Sequence, residues 1–227
     1  MGQKVNPNGL RIGITRTWPS TWFARGQRFR DFLLEDVAIK RHIMGKNKES
    51  GISSIEIERG KRTRVTIRTA KPGVMIGKQG AAKDDLEKEL TKKYGGNYEI
   101  DIQEIRTPDA DAAVIAENIQ GQIERRMPYR RACKMAIEKG MQVGALGIKI
   151  TVAGRLNGAE IARSDMFKEG NVPLQTLRAD VTFAKRHAIT KYGTIGVCVW
   201  VYKGMVFKKV QQAKSASLTA PAEAPVA

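Results

Sequence analysis

The sequence predicts an α+β protein of two domains, and three observations lead to this prediction. Apolar residues alternate with a period of two both before residue 106 and after residue 147, which indicates strands in both halves of the chain. Between these stretches, apolar residues recur every four positions, which indicates helices. The turn signal Thr107-Pro108-Asp109 separates the two halves. The predicted divisions are a basic arm over 1–27, a first domain over 28–106, a second domain over 107–207 and a disordered tail over 208–227.

The composition points to a polyanionic partner. The chain of 227 residues carries 40 Lys and Arg against 23 Asp and Glu, a net charge of +17, and its 41% of hydrophobic residues can form real cores. A folded chain with this excess of cations favours nucleic acid first and an anionic membrane second. No apolar run approaches the roughly 18 residues of a membrane span, so we expect no membrane partner.

The cysteines and histidines argue against a cofactor. Cys133 and Cys198 are far apart and lack CxxC spacing, and the chain has only two His. A zinc site is therefore not expected, and both cysteines are interpreted as small buried apolar residues in a reducing cytosol. The N-terminus lacks the apolar stretch of a secretory signal, so we expect a cytoplasmic protein. With no zinc site expected either, no cofactor is predicted.

The first 27 residues contain turn formers, Asn6-Pro7-Asn8-Gly9 among them, interspersed with basic residues. We interpret them as an irregular basic arm that becomes ordered only against a partner, with Lys4 and Arg11 as candidate RNA contacts. Aromatic residues in this arm either stack on bases or pack on the domain, and packing is favoured. These aromatic residues are Trp18, Trp22 and Phe23.

A helix is predicted over 28–45. Phe29, Leu33 and Val37 recur at i, i+4 and i+8, and the apolar stripe that they begin is widened by further residues. Those further residues are Phe32, Ile39 and Ile43. Gly45 is expected to end the helix.

Two strands follow this helix. The first is indicated by the alternation of Ile55 and Ile57 with charged residues. In the second, Val65 and Ile67 face one way, while arginines face the other way. The arginines are Arg62, Arg64 and Arg68, and they form either a solvated sheet face or a row of phosphate contacts.

The loop Gly77-Lys78-Gln79-Gly80 is the motif of the first domain, and a helix is predicted after it at 81–93. Glycine has no Cβ, so the loop backbone can approach a phosphate chain, and the helix start adds unpaired N–H donors. A third strand is predicted around Ile100. The order helix, strand, strand, GXXG loop, helix, strand is that of a type II KH domain, whose loop clamps about four nucleotides. We expect Lys78 to contact RNA; neither a Walker loop nor a dinucleotide-binding loop fits this spacing.

The second domain is predicted to begin with two helices and to continue with a mostly antiparallel sheet. Asp109 is the expected N-cap of the first helix, which Pro128 ends, and the second helix runs over 129–142. After a strand around Ile150 and a turn at 154–158, a short helix is expected from about residue 159. Two further strands are expected, one from Leu177 to Phe183 and one from Ile195 to Val201.

Basic residues gather where the two helices of the second domain meet. Arg130 and Lys134 are four residues apart on the second helix, and Arg131 and Lys134 are three apart, so all three project on one side. The preceding helix ends in Arg125 and Arg126. The other candidate RNA contacts in this domain are Arg155, Arg163 and Arg178.

Several stretches together resemble the family of the bacterial small-subunit ribosomal protein three, the KH-domain protein of the subunit's head. These stretches are 1–7, 73–80, 125–134, 154–163, 177–180 and 192–196. The resemblance implies a structural protein that binds small-subunit rRNA, touches neighbouring head proteins and lines the channel where mRNA enters. It also implies that Arg130, Arg131 and Lys134 contact the incoming mRNA and help separate its structured regions.

Two other classes of function compete with this interpretation. A free-standing KH regulator or RNA-processing factor would carry the same GXXG loop, but the basic arm and the lack of an effector domain favour the ribosomal protein. An enzyme acting on nucleic acid is not expected, because the paired acids show no metal-ligand pattern and neither His lies beside a candidate nucleophile.

Overall fold

The computed structural model describes residues 4–47, 50–60 and 62–207, and the tail predicted over 208–227 lies outside them. Within these residues the helices are α1 (Pro7–Leu10), α2 (Gln27–Lys46), α3 (Pro72–Ile76), α4 (Ala81–Tyr94), α5 (Ala112–Glu124) and α6 (Tyr129–Gln142). The strands are β1 (Ser20–Thr21), β2 (Ile52–Arg59), β3 (Thr63–Thr69), β4 (Tyr98–Glu104), β5 (Gly147–Gly154), β6 (Arg163–Gly170), β7 (Ala179–Thr190) and β8 (Gly193–Met205). No helix in the described part of the chain is both long enough and apolar enough to cross a membrane.

The first domain has a four-stranded sheet in the order β1-β2-β3-β4. β2 runs antiparallel to β3, whereas β4 runs parallel to β3. One face of this sheet is buried by α2 and α4 through fully buried apolar side chains, and we call it the helix-covered face. Its core includes Ile39, Ile43, Ile57, Val65, Ile67, Leu86, Leu90 and Ile100. The predicted element order around the GXXG loop is confirmed.

The apolar stripe predicted for α2 is rotated in the structure. Ile39 and Ile43 are buried as expected, but Phe29, Leu33 and Val37 are exposed. The cause is Asp36, which is almost fully buried and accepts hydrogen bonds from Trp22 Nε1 (2.8 Å) and from the Arg59 guanidinium. A buried carboxylate must keep such partners, so their position fixes which side of α2 faces the sheet. The prediction for the stripe that starts at Phe29 was therefore wrong.

The second domain has an antiparallel sheet in the order β6-β5-β8-β7. The face toward α5 and α6 forms a dry core of Val, Ile and Ala side chains. Ile148, Ile150, Val197 and Val199 pack there against helix residues such as Ile119 and Cys133. This sheet confirms the predicted α+β class, and it leaves its opposite face without a covering helix.

Two local predictions in this domain are corrected. The N-cap of α5 is Asp111, whose side chain accepts a hydrogen bond from the Ala113 N–H (2.9 Å), and Asp109 instead lies in a preceding 3₁₀ turn. The short helix expected from residue 159 is absent, because the chain leaves a 3₁₀ turn at 156–158 and enters β6. β6 gains its ladder hydrogen bonds from β5, an interaction that local propensity does not report.

The N-terminal arm is packed on the protein itself. The Asn8 side chain bonds to both backbone groups of Phe183 on the edge strand β7, at 2.9 and 3.2 Å. Farther along the arm, β1 pairs in parallel with β2. The arm thus supplies groups that the two sheet edges would otherwise leave unpaired. This corrects the expectation that it becomes ordered only against a partner.

The aromatic residues of the arm behave differently from one another. Trp22 packs between Phe29 and Phe32, with ring centroids at 5.4 and 5.6 Å, as expected for packing on the domain. Trp18 and Phe23 are 66% and 80% exposed, so the packing prediction was wrong for these two.

Candidate nucleic-acid interface

The GXXG loop joins α3 to α4 in a conformation that depends on its glycines. Gly77 has φ of 72°, and a Cβ added there would lie 2.7 Å from the Ala82 Cβ. Gly80 is left-handed and serves as the N-cap of α4 without a side-chain hydrogen bond, and the N–H of Ala81, the first residue of α4, donates to the Lys78 carbonyl. Donation from the loop backbone to an anion therefore remains a prediction.

Lys78 lies at the tip of this loop and is exposed. The neighbouring Val74 and Ile76 of α3 are 53% and 39% exposed, which places apolar surface beside the cation. This combination suits a nucleotide, whose base is apolar on its faces and whose phosphate is charged. Asp84 lies in the first turn of α4, and its negative charge would repel a phosphate at that end of the helix. The RNA contact by Lys78, Gln79 and the two glycines remains a prediction.

The arginines of β3 are offset by carboxylates on neighbouring strands. Arg68 lies 3.2 Å from the Glu56 carboxylate and Arg64 lies 3.8 Å from that of Glu99. Both arginines are half exposed, so these pairs are weak but still offset the local charge. Arg62 is exposed next to them. Of the two predicted interpretations of this row, the solvated sheet face is favoured.

The corner between α5 and α6 is a tight turn built on Arg125 and Arg126. Arg125 caps α5, and Arg126 takes φ of 66°, a left-handed conformation that is costly for a side chain with a Cβ. The N–H of Arg126 donates to the Ile123 carbonyl (2.9 Å) and that of Met127 to the Gln122 carbonyl (3.0 Å). Pro128 is the N-cap of α6, and both arginines are left exposed at the corner.

The three cations of α6 differ in how they are held. The Arg130 Nε donates to the Tyr129 hydroxyl (3.1 Å), which itself donates to Asp165 Oδ2 (2.6 Å). Arg130 also lies 3.8 Å from that carboxylate, and the hydrogen bond from its guanidinium to Tyr129 raises the pKa of Arg130. Arg131 and Lys134 are exposed, and neither has an ion-pair partner among the described residues.

The sequence did not predict the contacts of Arg130 with Tyr129 and Asp165. Asp165 is 36 residues from Tyr129 in the sequence, and its carboxylate accepts a hydrogen bond from the Tyr129 hydroxyl on α6. Because a short helix is expected from about residue 159, the sequence does not predict the alternation that puts Asp165 and Arg163 on the same face of a strand. A strand reading of 163–170 gives that alternation directly.

Arg163 extends the basic corner, and Arg155 ties two turns together. Arg163 is exposed on β6 two residues before Asp165, on the face turned toward α6. Arg155 donates to the carbonyls of Ala159 (2.9 Å) and Tyr192 (3.3 Å), so much of its hydrogen-bonding capacity is used within the fold. Both remain predicted RNA contacts.

Arg11 is the one candidate that the structure rules out. Its side chain is fully buried, and it donates to five carbonyl groups, including those of Ala179 (2.7 Å), Pro7 (3.0 Å) and Thr176 (3.0 Å). Burial, followed by the nearby Arg16, lowers its pKa. The expected RNA contact is therefore corrected to a structural role, since a side chain with no exposed surface cannot meet a phosphate.

The remaining candidates, Lys4 and Arg178, are exposed. Arg178 stacks over the Phe207 ring at 5.6 Å from the centroid. Lys4 lies close to Lys149 of β5. Their RNA contacts remain predictions.

The described residues show no cluster of side chains suited to a metal ion. Among residues 4–47, 50–60 and 62–207, no three His, Cys, Asp or Glu side chains are placed to share a metal ion. Cys133 is buried, and burial raises the pKa of its thiol to about 12, which keeps it unionised.

Comparisons with known proteins agree with this geometry. A family model described as KH domain matches residues 38–110, and one described as Ribosomal protein S3, C-terminal domain matches residues 119–201. The chain is 52% identical over 206 residues to the small ribosomal subunit protein uS3 of Caldicellulosiruptor bescii, covering 90% of this chain and 93% of that protein. It is 47% identical to the uS3 of Ruegeria pomeroyi, covering 94% and 92% of the two chains.

Proposed function

The chain belongs to the family of the small ribosomal subunit protein uS3, and from that premise we propose that it binds rRNA in the head of the subunit and helps line the channel where mRNA enters. Its role in the small subunit is structural and non-enzymatic. Its cellular place is then the cytoplasmic ribosome. Its other partners in this proposal are neighbouring head proteins.

The observation that supports the mRNA contact is the corner formed by α5 and α6. Arg125, Arg126, Arg131 and Lys134 are all exposed there, and none of them has an ion-pair partner among the described residues. Cations without partners attract a phosphate backbone and can exchange one phosphate for the next as a strand moves past. This is the behaviour that a channel for a moving mRNA requires.

Separation of structured mRNA follows from the same contacts. Cations that hold the phosphates of one strand disfavour its return to a duplex. The energy for movement comes from the translocating ribosome, so the protein supplies only a guiding surface. The GXXG loop with Lys78 is proposed as a separate contact to a single-stranded rRNA segment.

Translation of two matched messages tests the mRNA contact. We expect Arg131→Gln with Lys134→Gln to slow translation through a stable hairpin more than through an unstructured message of equal length. Lys88→Gln with Lys92→Gln removes the same charge from exposed positions of α4 and is the matched control. Equal slowing of both messages by the α6 variant would contradict the proposed role.

The alternative of a free-standing KH regulator is tested by sedimentation. The protein is expected to sediment with the small subunit on a sucrose gradient and to remain bound after a moderate salt wash. A protein that stays at the top of the gradient, or that washes off at low salt, would instead support the free regulator.

A further inference from the structure

The outward face of the second sheet carries lysines and aromatic rings without carboxylates. We call it the lysine-aromatic face and define it by the outward positions of β5–β8 within 149–153, 164–168, 183–187 and 196–200. Its cations are Lys149, Lys168 and Lys185, and none of these outward positions is Asp or Glu. The opposite face of the same sheet is the core that packs on α5 and α6.

The register brings the aromatic rings and two of the lysines into one row. Lys168 is paired with Lys149, Lys149 with Trp200, and Trp200 with Phe183. The Trp200 and Phe183 ring centroids are 5.0 Å apart at an angle of 38°, and the Lys149 Nζ lies 5.1 Å from the Trp200 centroid. Lys185 follows in the next row beside Cys198.

The lysines of this face have no acidic partner within the described part of the chain. No described carboxylate forms an ion pair with Lys149, Lys168 or Lys185. Burial lowers the pKa of Lys149, and the nearby cations Lys4 and Lys168 lower it further. An anionic ligand that enters this cluster would relieve both the burial of an uncompensated charge and the repulsion between lysines.

The N-terminal arm borders this face and fixes one end of it. Arg11 binds the carbonyls of Pro173, Leu174 and Ala179. The segment that it holds packs Val172 and Leu174 on a small cluster that includes Val181 and Tyr202. Trp200 lies at the margin of that cluster and is partly exposed. The remainder of the face stays open, with Met166 60% exposed.

We propose that the lysine-aromatic face is an RNA-binding platform that takes an unpaired rRNA nucleotide by stacking on Phe183 and Trp200 and holds its phosphates with Lys149, Lys168 and Lys185. The inference rests on the proposed rRNA-binding function and names a surface for it. Aromatic rings on an open sheet amid cations are the arrangement by which sheet proteins bind single-stranded RNA. An acidic protein segment would also meet the lysines, but flat rings flanked by cations fit a base with its phosphates better.

Fluorine NMR of the full chain, with 5-fluorotryptophan at its three Trp positions, tests the stacking. Trp18→Phe and Trp22→Phe variants assign the three resonances, and a single-stranded 12-nucleotide RNA is the probe. The Trp200 resonance is expected to shift at saturation, and a duplex of the same length should shift it much less. A shift confined to Trp18 or Trp22 would overturn the inference.

Paired variants test the lysines. Lys149→Gln with Lys168→Gln is expected to weaken binding of the same RNA about tenfold at low salt, and to reduce the log–log salt slope by roughly 1.4 for two lost phosphate contacts. Lys88→Gln with Lys92→Gln, which removes equal charge from α4, should weaken binding by less than about threefold. Equal losses for the two pairs would overturn the inference.

The RNA-binding experiments also distinguish failure of the platform from failure of the proposed rRNA-binding function. Failure of the whole wild-type chain to bind any RNA would overturn the proposed function and the platform together. RNA binding with an unchanged Trp200 resonance would overturn only the platform. In assembled small subunits, a photoreactive benzoylphenylalanine in place of Phe183 should crosslink to rRNA, and a crosslink to protein alone would contradict the proposal.

Discussion

The two sheets of this molecule expose faces of opposite charge. On the first sheet, Arg64 and Arg68 share the face away from the helices with four carboxylates. These carboxylates are Glu56, Glu58, Glu99 and Asp101. On the second sheet, three lysines share the lysine-aromatic face with no carboxylate at all.

The difference shows that counting cations does not locate an RNA surface in a basic protein. The arginines of the first sheet look like phosphate contacts in the sequence, but their neighbours across the strands offset them. The lysines of the second sheet are spread over three strands and look unremarkable in sequence. Whether a sheet face can bind RNA depends on the net charge that remains after cations pair with carboxylates on neighbouring strands. This pairing depends on the register of the strands.

The largest expected effect comes from removing the buried contacts of Arg11, which lie at one end of the lysine-aromatic face. Replacing Arg11 by Met leaves five carbonyl groups without their donor in a buried site, so we expect the second domain to lose about 3 kcal/mol or more of stability. Hydrogen exchange of β7 and β8 measures this loss. Arg30→Met, at a side chain that is 71% exposed, should change exchange little and is the control. Unchanged protection in the Arg11 variant would show that the arm is not fastened there.

A second prediction concerns the exposed face of the first sheet, which should bind RNA like the lysine-aromatic face once its carboxylates are removed. Replacing Glu56, Glu58 and Glu99 by Gln and Asp101 by Asn removes the carboxylates that offset Arg64 and Arg68. We expect non-specific RNA binding to strengthen by about tenfold at low salt and the salt slope to steepen by up to roughly 1.4, because two arginines become free for phosphates. Filter binding over a salt series measures both. An unchanged affinity would mean that leftover charge does not explain the difference between the sheets.

The sequence predicts the fold well where periodicity is strong. The alternation at Ile148, Ile150 and Val152 and the four-residue repeat through Ile115 and Ile119 predicted a strand and a helix that the structure contains. The GXXG loop was also found in its expected place, because the conformations of Gly77 and Gly80 are local.

The predictions failed where long-range contacts decide. Arg11 is buried by residues more than 160 positions away, and β6 exists because β5 offers it a ladder. The inward side of α2 is set by Asp36, Trp22 and Arg59 together, a cluster that no single window of sequence contains. The lysine-aromatic face required the register of four strands, which is a property of the folded sheet.

A third prediction concerns Arg130, whose charge is offset by the carboxylate of Asp165. Asp165→Asn removes the carboxylate that holds Tyr129 and Arg130, so we expect a loss of about 1 kcal/mol in stability of the second domain. RNA affinity should stay equal or rise slightly, since Arg130 then carries an uncompensated charge. Urea unfolding followed by hydrogen exchange, together with filter binding, checks both effects. Weaker RNA binding without unfolding would indicate that Asp165 positions Arg130 for RNA.

The smallest expected effect concerns the two thiols, which lie on opposite sides of the second sheet. Cys198 is on the lysine-aromatic face and half-buried, whereas Cys133 is buried in the core with its pKa raised to about 12. At pH 7.5 a small alkylating reagent should modify Cys198 first, and assembly into the small subunit should slow that reaction severalfold. Mass spectrometry of both peptides measures this, and equal rates in free and assembled protein would show that nothing covers the face.

The raised pKa of Cys133 also gives a pH dependence. The unfolded thiol ionises near pH 9 and the folded one near 12, so its contribution to stability is complete below pH 9 and is lost as pH rises toward 12. We expect a Cys133→Ala variant to lose less stability than wild type over that interval. Parallel urea titrations at pH 8 and pH 10.5 measure the difference, and identical pH slopes would contradict it.

Ultraviolet crosslinking of rRNA to protein in assembled small subunits, followed by mass spectrometry of the adducts, tests the central claim most directly. The account predicts nucleotide adducts on the β5 and β8 peptides that carry Lys149 and Trp200, and none on the β3 peptide that carries Arg64 and Arg68. Adducts on the β3 peptide with none on β5 or β8 would contradict it.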